Sequence, residues 1–240
     1  MTSSRAGSLV ALVVGPLVSC ALLGAFVGGD PMIAVGIGAA ALAAAWALIV
    51  VRDLLRYRRV ERDLFASARD TVLFGVSCRV SEALGADALV VGSFRPRILV
   101  GVQLIEALTD DELQAVVFHE DHHRRTRAPL RAAALGAWVH LLGSSKLVRS
   151  VVLDRLADLE TMADADAMRR GSSARSLAGA LLKGDYSLQP VAFSYAADRR
   201  VQRLLDSADG VPSDISDRAP YEWLPIALLA AVALACGVGL

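Results

Sequence analysis

Long uncharged stretches set the strongest limit on how this chain can fold. The segments Leu9–Gly28 and Pro31–Val51 contain no charged residue, and each has about the 20 residues that a membrane-spanning helix needs. A cleaved signal peptide has a shorter apolar core, of about 7–15 residues, and here a second stretch follows the first almost at once. The sequence therefore predicts a transmembrane hairpin in residues 1–51, in an integral protein of the cell membrane. A third apolar stretch predicts a C-terminal transmembrane helix in residues 221–240.

Charged residues beside these stretches predict the orientation. Arg5 precedes the first stretch, the connecting turn has only Asp30, and five arginines follow the second stretch. An excess of arginine marks the cytoplasmic side of a membrane, so we expect residues 52–220 to form a cytoplasmic domain. A basic surface helix is the other interpretation of the arginine-rich segment. Its arginines are Arg52, Arg56, Arg58, Arg59 and Arg62.

The overall composition argues against several classes of function. The formal net charge is zero, whereas a nucleic-acid-binding domain is usually basic, so no nucleic acid is expected as a partner. Hydrophobic residues make up 55% of the chain, which argues against disorder. The cysteines form no C-x-x-C pair, so neither a disulfide framework nor a thiolate zinc site is expected. They are Cys20, Cys78 and Cys236.

One polar segment, Thr109–Arg127, has the features of a complete helix. Thr109 and Glu112 fit a capping box, in which each side chain binds the backbone N–H of the other residue. Acidic residues follow at the N-terminal end and arginines at the C-terminal end, where the helix dipole favours them. Pro129 then predicts a break in the helix.

Residues 119–123 of this helix read H-E-D-H-H, a match to the H-E-x-x-H motif. Residues four apart project from one face of a helix, so His119 and His123 can bind one Zn²⁺ ion as neutral imidazoles. Glu120 is then placed to accept a proton from a zinc-bound water. The alternative interpretation is a solvated polar face without chemistry.

Such a site needs a third protein ligand from another part of the chain. Glu160, in a downstream acidic helix, is the candidate. Asp164 is four residues further on and can accept a hydrogen bond from a ligand histidine, which fixes the orientation of its ring. Spacing alone leaves other carboxylates open as ligands: Asp154, Asp158 and Asp166.

Signals for β-strands occur between residues 69 and 102. Thr71–Val76 is a short, mostly apolar run, and Ala88–Val91 and Ile98–Val102 fit a hairpin with a longer loop. We expect Ile98–Val102 to be an edge strand that binds an extended peptide by β-strand addition. The predicted substrate-binding residues are therefore Ile98, Leu99, Val100, Gly101 and Val102.

The apolar segment Ala128–Leu142 is short for a membrane span. His119 and Glu160 must lie on one side of the membrane to share a metal, and two crossings between them need about 40 apolar residues. We therefore expect residues 128–142 to associate with the membrane without spanning it, and the site to face the cytoplasm. Helices are also predicted for Leu147–Arg170 and Ala174–Leu182.

Several elements together resemble the core of integral-membrane zinc peptidases. The segment RPRILVGVQLIEALTDDELQAVVFHEDHHRRTRAPL, residues 95–130, is similar to the BlaR/MecR-type antirepressor peptidases and to the HtpX-like peptidases. Residues 160–164 match their E-x-x-A-D element, and residues 200–205 are similar to the R-[IV]-x-x-L segment that follows it. The resemblance implies that His119, His123 and Glu160 bind zinc. It also implies that Glu120 is the catalytic base and that Asp164 supports a ligand.

This chain also departs from the family pattern. Asp121 and His122 stand at positions that are usually uncharged, and Ala128 replaces an acidic residue that often precedes the proline. His122 is therefore a possible competitor for the metal.

Together these features predict a mainly α-helical membrane protein with a gluzincin-like zinc peptidase core and a small β-hairpin. The expected function is zinc-dependent hydrolysis of peptide bonds in cytoplasmic or membrane-proximal proteins, with a transcriptional repressor as one substrate that the resemblance suggests. The alternative is a non-catalytic membrane protein that zinc stabilises and that signals or binds a partner.

Overall fold

The computed structural model describes residues 31–92, 95–142, 145–184, 200 and 204. In these residues the chain is mostly helical with one small mixed sheet, which confirms the predicted class at that level. The first and third apolar stretches, residues 9–28 and 221–240, lie outside the described residues. In order, the elements are α1 (Pro31–Ala66), β1 (Arg69–Leu73), β2 (Val76–Ser81), β3 (Ala88–Val91), β4 (Arg97–Gly101), α2 (Val102–Ala107), α3 (Asp110–Thr126), α4 (Ala128–Leu142), α5 (Lys146–Arg169) and α6 (Ala174–Lys183).

Helix α1 contains the second apolar stretch and continues beyond it through the arginine-rich segment. Its part Gly36–Ala66 is long and apolar enough to cross a membrane, by length and composition, with a mean hydropathy of 1.8 in its most apolar window. Among the described residues it is the one helix with this property.

The chain divides into two compact units. Of the described residues, the first unit comprises 31–51, 136–142 and 145–150, and the second comprises 52–92, 95–135, 151–184, 200 and 204. In the first unit, the rings of Trp46 and Trp138 pack with their centroids 6.2 Å apart. The second unit contains the sheet and the residues of the predicted site.

The four strands are ordered β1-β2-β4-β3. Strands β2 and β4 are parallel, and the other two pairs are antiparallel. The predicted hairpin of β3 and β4 is confirmed. The apolar run Thr71–Val76 is not one strand, because a turn at Phe74 and Gly75 separates β1 from β2.

Strand β4 lies inside the sheet, so the expectation of an edge strand at Ile98–Val102 is wrong. It has β2 on one side and β3 on the other, and its backbone is therefore paired on both sides. Ile98, Leu99 and Val100 are 0% exposed, and Val102 begins α2. A strand that is buried on both faces forms a continuous apolar run, which is the signal that suggested a peptide-binding edge. The edges of this sheet are β1 and β3.

Both faces of β4 contribute to the core of the second unit. Ile98 and Val100 belong to the cluster that includes Val117 and Phe118 of α3. Leu99, on the opposite face, packs in a cluster with Phe65 near the end of α1. This packing fixes α3 over the sheet and so positions the helix that bears the histidines.

The end of β4 requires glycine. A Cβ atom on Gly101 would lie 1.8 Å from the carbonyl oxygen of Gly85, and the Gly101 N–H donates to the carbonyl oxygen of Asp87 at 2.9 Å. The backbone at the end of β4 therefore passes very close to the backbone that precedes β3, and no side chain fits at position 101.

Candidate metal centre

Helix α3 begins and ends where its sequence predicts. Thr109 Oγ1 accepts a hydrogen bond from Glu112 N at 3.4 Å, and Glu112 Oε2 accepts one from Thr109 N at 2.8 Å, which is the expected capping box. Arg127 ends the helix with a left-handed backbone, at φ 53°. The break thus comes two residues before Pro129, which lies in the first turn of α4.

The structure brings together the three residues predicted to be ligands, His119, His123 and Glu160. The Nε2 atoms of the two histidines are 3.0 Å apart. Glu160 Oε2 is 3.3 Å from His119 Nε2, and Glu160 Oε1 is 3.2 Å from His123 Nε2. All three side chains are buried or nearly so. This buried cluster could hold a metal ion.

The spacing of these atoms suits a small metal ion. A tetrahedral ion with bonds of about 2.0 Å places its ligand atoms about 3.3 Å apart, close to the distances of 3.0–3.3 Å in the cluster. Although His123 Nε2 is only 3.2 Å away, Glu160 Oε1 accepts no hydrogen bond of good geometry among the described residues. Because a buried carboxylate oxygen without a partner is costly, a cation at this point would satisfy it.

Asp164 occupies the supporting position that the sequence predicts. Its Oδ1 atom lies 2.8 Å from His119 Nδ1, so the other ring nitrogen, Nε2, is turned towards Glu160 and His123. Burial and the charge of Arg200 lower the pKa of His119, but hydrogen bonds to Asp164 and Glu160 outweigh them and raise it to about 9. Without a metal, the hydrogen bonds to these two carboxylates therefore favour the protonated form of His119.

Arg200 is the residue of this centre to which the sequence analysis gave no role. It donates to Asp164 through Nε and Nη2, at 2.8 and 2.7 Å, and to Glu160 Oε2 through Nη1, at 2.9 Å. Burial would raise the pKa of Glu160, but the nearby charges of His123 and Arg200 hold it well below its usual value. The only signal in the sequence was the first position of the R-[IV]-x-x-L segment.

Glu120 is buried beside the two histidines. Burial raises the pKa of its carboxyl group, although the charges of His123 and His119 act against this rise. A raised pKa brings a carboxylate closer to the operating range of a general base at neutral pH.

The two unusual residues within the motif point away from the cluster. Asp121 accepts hydrogen bonds from Arg124, at 2.7 and 2.9 Å, and from Arg170, at 2.8 Å. His122 Nδ1 lies 3.6 Å from Asp166 Oδ2, and burial lowers the pKa of His122 to about 4. The charge of Asp121 is thus neutralised, and His122 does not belong to the cluster.

The competing carboxylates also lie outside the metal cluster of the described residues. Asp166 pairs with Arg125 and Arg169, and Asp158 pairs with Arg155 on the same helix.

No family model, curated protein or solved structure matches the chain.

Proposed function

We propose that the protein is a membrane-embedded, zinc-dependent endopeptidase. The observation that carries the proposal is the convergence of His119, His123 and Glu160 at 3.0–3.3 Å, with Glu120 next to the first ligand in the motif. The resemblance to the BlaR/MecR-type and HtpX-like peptidases supports the same assignment, residue by residue.

Zinc suits the donors of this cluster better than Mg²⁺ or Ca²⁺ does. Two imidazoles and one carboxylate, with room for a fourth ligand, are typical of catalytic zinc sites, whereas Mg²⁺ and Ca²⁺ prefer sets of oxygen ligands. When bound, zinc would lower the pKa of a water ligand to about 7 and would polarise the carbonyl group of the substrate.

The other residues have roles that follow from their contacts. Glu120 takes the proton from the attacking water and transfers it to the leaving amine. Asp164 holds the ring of His119 through Nδ1, and Arg200 holds Asp164 with two hydrogen bonds. Partners of this kind set ring orientation and ligand basicity at metal sites.

Strand β3, rather than β4, is the strand that we assign to the protein or peptide substrate. It lies at the edge of the sheet and packs against α3, which carries the histidines. An extended peptide that adds to this edge would form main-chain hydrogen bonds with little demand on sequence.

The membrane assignment rests on α1. Only 6% of its most apolar window is buried, as expected for a helix whose apolar surface contacts lipid, and arginines directly follow the uncharged stretch Pro31–Val51. The arginine excess favours a centre that faces the cytoplasm, where a transcriptional repressor is one substrate that the family resemblance suggests.

The second candidate is a structural zinc site without catalytic activity, called the clip below, and one observation favours it. Arg200 donates a hydrogen bond to Glu160, so the positively charged guanidinium group already contacts the carboxylate that would bind the metal. A metal held in this way would join α3 to α5 without turnover.

Metal content and turnover, measured on the same preparations, test the proposal. The wild-type protein and Glu120→Gln should each bind about one zinc ion, whereas Glu160→Ala should lose it, because three protein ligands leave none to spare. Asp158→Ala, an exposed position on the same helix as Glu160, is the matched control and should keep its zinc. Only the wild-type protein and this control should cleave unfolded casein. Full activity in Glu120→Gln would refute the mechanism, and zinc binding without any cleavage would favour the clip.

A further inference from the structure

The hairpin of β1 and β2 ends in an apolar tip that faces solvent. Val72 is 66% exposed and Phe74 is 39% exposed. Leu73, which lies between them, packs against the hydrophobic core, so the alternation of the strand directs its neighbour Val72 away from that core. We call Val72 and Phe74 the hairpin tip.

Phe74 is also held in an unfavourable backbone conformation. Its φ is 49°, and that of Gly75 is 79°, so both residues of the turn have the positive φ of a type I′ turn. Asn-Gly is a preferred pair for this turn, and a bulky residue with positive φ is a genuine outlier. The chain thus places an exposed aromatic ring where asparagine would fold more easily. An outlier of this kind is a reason to look for a function.

A group of exposed arginines lies on α3, at its C-terminal cap and at the C-terminal end of α5. Two carboxylates, of Asp121 and Asp166, lie beneath them with side chains only 7% and 14% exposed. The arginines that pair with these carboxylates are 30–53% exposed, and Arg127 is exposed as well. The positive charges are therefore outermost and outnumber the negative ones. We call this group the arginine cluster: Arg124, Arg125, Arg127, Arg169 and Arg170.

Contacts within the second unit connect the arginine cluster to the hairpin. Val76 and Cys78 of β2 share one hydrophobic cluster with Phe118 of α3. The Arg170 guanidinium lies 3.8 Å from the centroid of the Phe118 ring. Burial raises the pKa of the Cys78 thiol to about 11, and the charge of Asp121 adds to the rise. The start of β2 and the C-terminal half of α3 are thus neighbours.

We propose that the hairpin tip and the arginine cluster together form a docking surface for an anionic lipid bilayer. The two apolar side chains enter the boundary of the acyl chains, and the guanidinium groups bind phosphate-containing headgroups. A bilayer fits better than an acidic protein, because the same chain contains a helix long and apolar enough to cross one.

This docking surface is separate from the metal centre. At 3.6 residues per turn, Asp121 lies about 180° around α3 from the mean direction of His119 and His123. Lipid docking can therefore be tested without changing a residue of the metal centre.

A fluorescent label on the hairpin tip tests the proposal in the full chain. Val72→Cys is labelled with an environment-sensitive dye, in a chain that also carries Cys20→Ala and Cys236→Ala. Cys78 stays because it is buried and its pKa is raised. Glu106→Cys, at an exposed position on α2, is the matched control. Both proteins are reconstituted into vesicles of phosphatidylcholine, alone or mixed with phosphatidylglycerol.

We expect lipid-attached quenchers to quench the label at position 72 several-fold more in the anionic vesicles than in the neutral ones. The label at position 106 should stay unquenched in both. Salt at about 1 M, which shortens the Debye length to about 3 Å, should remove the difference at position 72, and so should the double variant Arg127→Gln, Arg169→Gln.

Phe74→Asn separates docking from folding. Because asparagine suits the turn, this variant should keep or raise Tm while quenching at position 72 falls to the level of position 106. The proposal is overturned if position 72 is quenched no more than position 106 in anionic vesicles, or if vesicle charge makes no difference. A loss of Tm in Phe74→Asn as large as that of a core substitution would also overturn it, since the ring would then serve the fold.

Discussion

His119 binds a proton in the metal-free centre that an incoming metal ion has to displace. Its pKa is raised to about 9 by hydrogen bonds to Asp164 and Glu160, against burial and the charge of Arg200. A metal ligand must be the neutral imidazole. We therefore predict that zinc binding at pH 7 releases about one proton from His119 and that zinc affinity increases up to about pH 9. Titration calorimetry in buffers of different ionisation enthalpy measures the released proton.

Asp164→Asn is the matched variant for this prediction. It removes the carboxylate that raises the pKa of His119, so it should release fewer protons and should bind zinc about 10–100-fold more weakly. The same linkage affects the metal-free fold. In the folded protein the pKa of His119 exceeds 6.5, its value without these contacts. The proton on His119 therefore stabilises the fold fully below about pH 6.5. This stabilisation is lost as the pH increases to about 9. Equal proton release by both proteins would contradict this account.

Single residues of the centre differ in how far the sequence could predict them. His119 and His123 are one helical turn apart, so local geometry alone places them together. Glu160 is on another helix, and only the resemblance distinguishes it from Asp158 and the other nearby carboxylates. The role of Arg200 depends on a contact with a residue 36 positions away, which no local pattern encodes.

At the scale of elements, β3 has no strand on its outer side among the described residues, and this edge lies near α3. Gly101 N donates to Asp87 O, and hydrogen-bonded pairs alternate along an antiparallel ladder. The pair Leu89 and Leu99 is then hydrogen-bonded, whereas the backbone groups of Val90, opposite Ile98, point towards the open edge.

We predict that Val90→Pro keeps the fold and bound zinc but lowers peptide cleavage, because it removes an N–H that only a substrate strand would use. Leu89→Pro is the control and should unfold the second unit, since it removes an N–H of the ladder. Cleavage assays and thermal unfolding distinguish the two variants. Unchanged cleavage by folded Val90→Pro would exclude this edge as the substrate strand.

The two helices that carry His119, His123 and Glu160 are also joined on the side of α3 that faces away from these residues. Asp121 of α3 accepts hydrogen bonds from Arg124 and Arg125 of its own helix and from Arg170, next to α5. Removing one partner of a fully buried ion pair costs about 3–5 kcal/mol, but these arginines are 30–48% exposed, which screens the interaction.

We therefore predict that Asp121→Asn lowers the free energy of unfolding by about 1–3 kcal/mol and weakens zinc binding by loosening α5 against α3. Arg169→Gln changes an ion pair whose arginine side chain is 53% exposed. This variant should change the free energy of unfolding and the zinc affinity little. Chemical unfolding with and without zinc measures both effects. If the two variants behave alike, Asp121 does not join the helices.

Among the elements, helices were easier to predict than strands. Residues 109–127 contain both of their own end signals, and α3 follows them closely. The order of the strands depends on long-range pairing. The parallel contact of β2 with β4 has no local signature, so no local pattern identifies β4 as a central strand.

At the scale of the whole molecule, the proposed function requires the metal centre to face one side of the membrane only. We predict that Arg175→Cys, at an exposed position on α6, reacts with a membrane-impermeant maleimide only after the cells are permeabilised. Cys78 should stay unlabelled in the folded protein, because burial raises its pKa to about 11. Labelling of position 175 in intact cells would contradict a cytoplasmic centre.

The close approach of Gly101 to Gly85 has an evolutionary consequence. Even alanine at position 101 would put its Cβ 1.8 Å from a carbonyl oxygen, so selection acts on this glycine whether or not the protein is an enzyme. A descendant that lost its histidines would still have to keep the glycine, whereas it could lose Glu120 without harm to the fold. Retention of Gly101 would therefore reflect a requirement of the fold, whereas retention of Glu120 would reflect a requirement of catalysis.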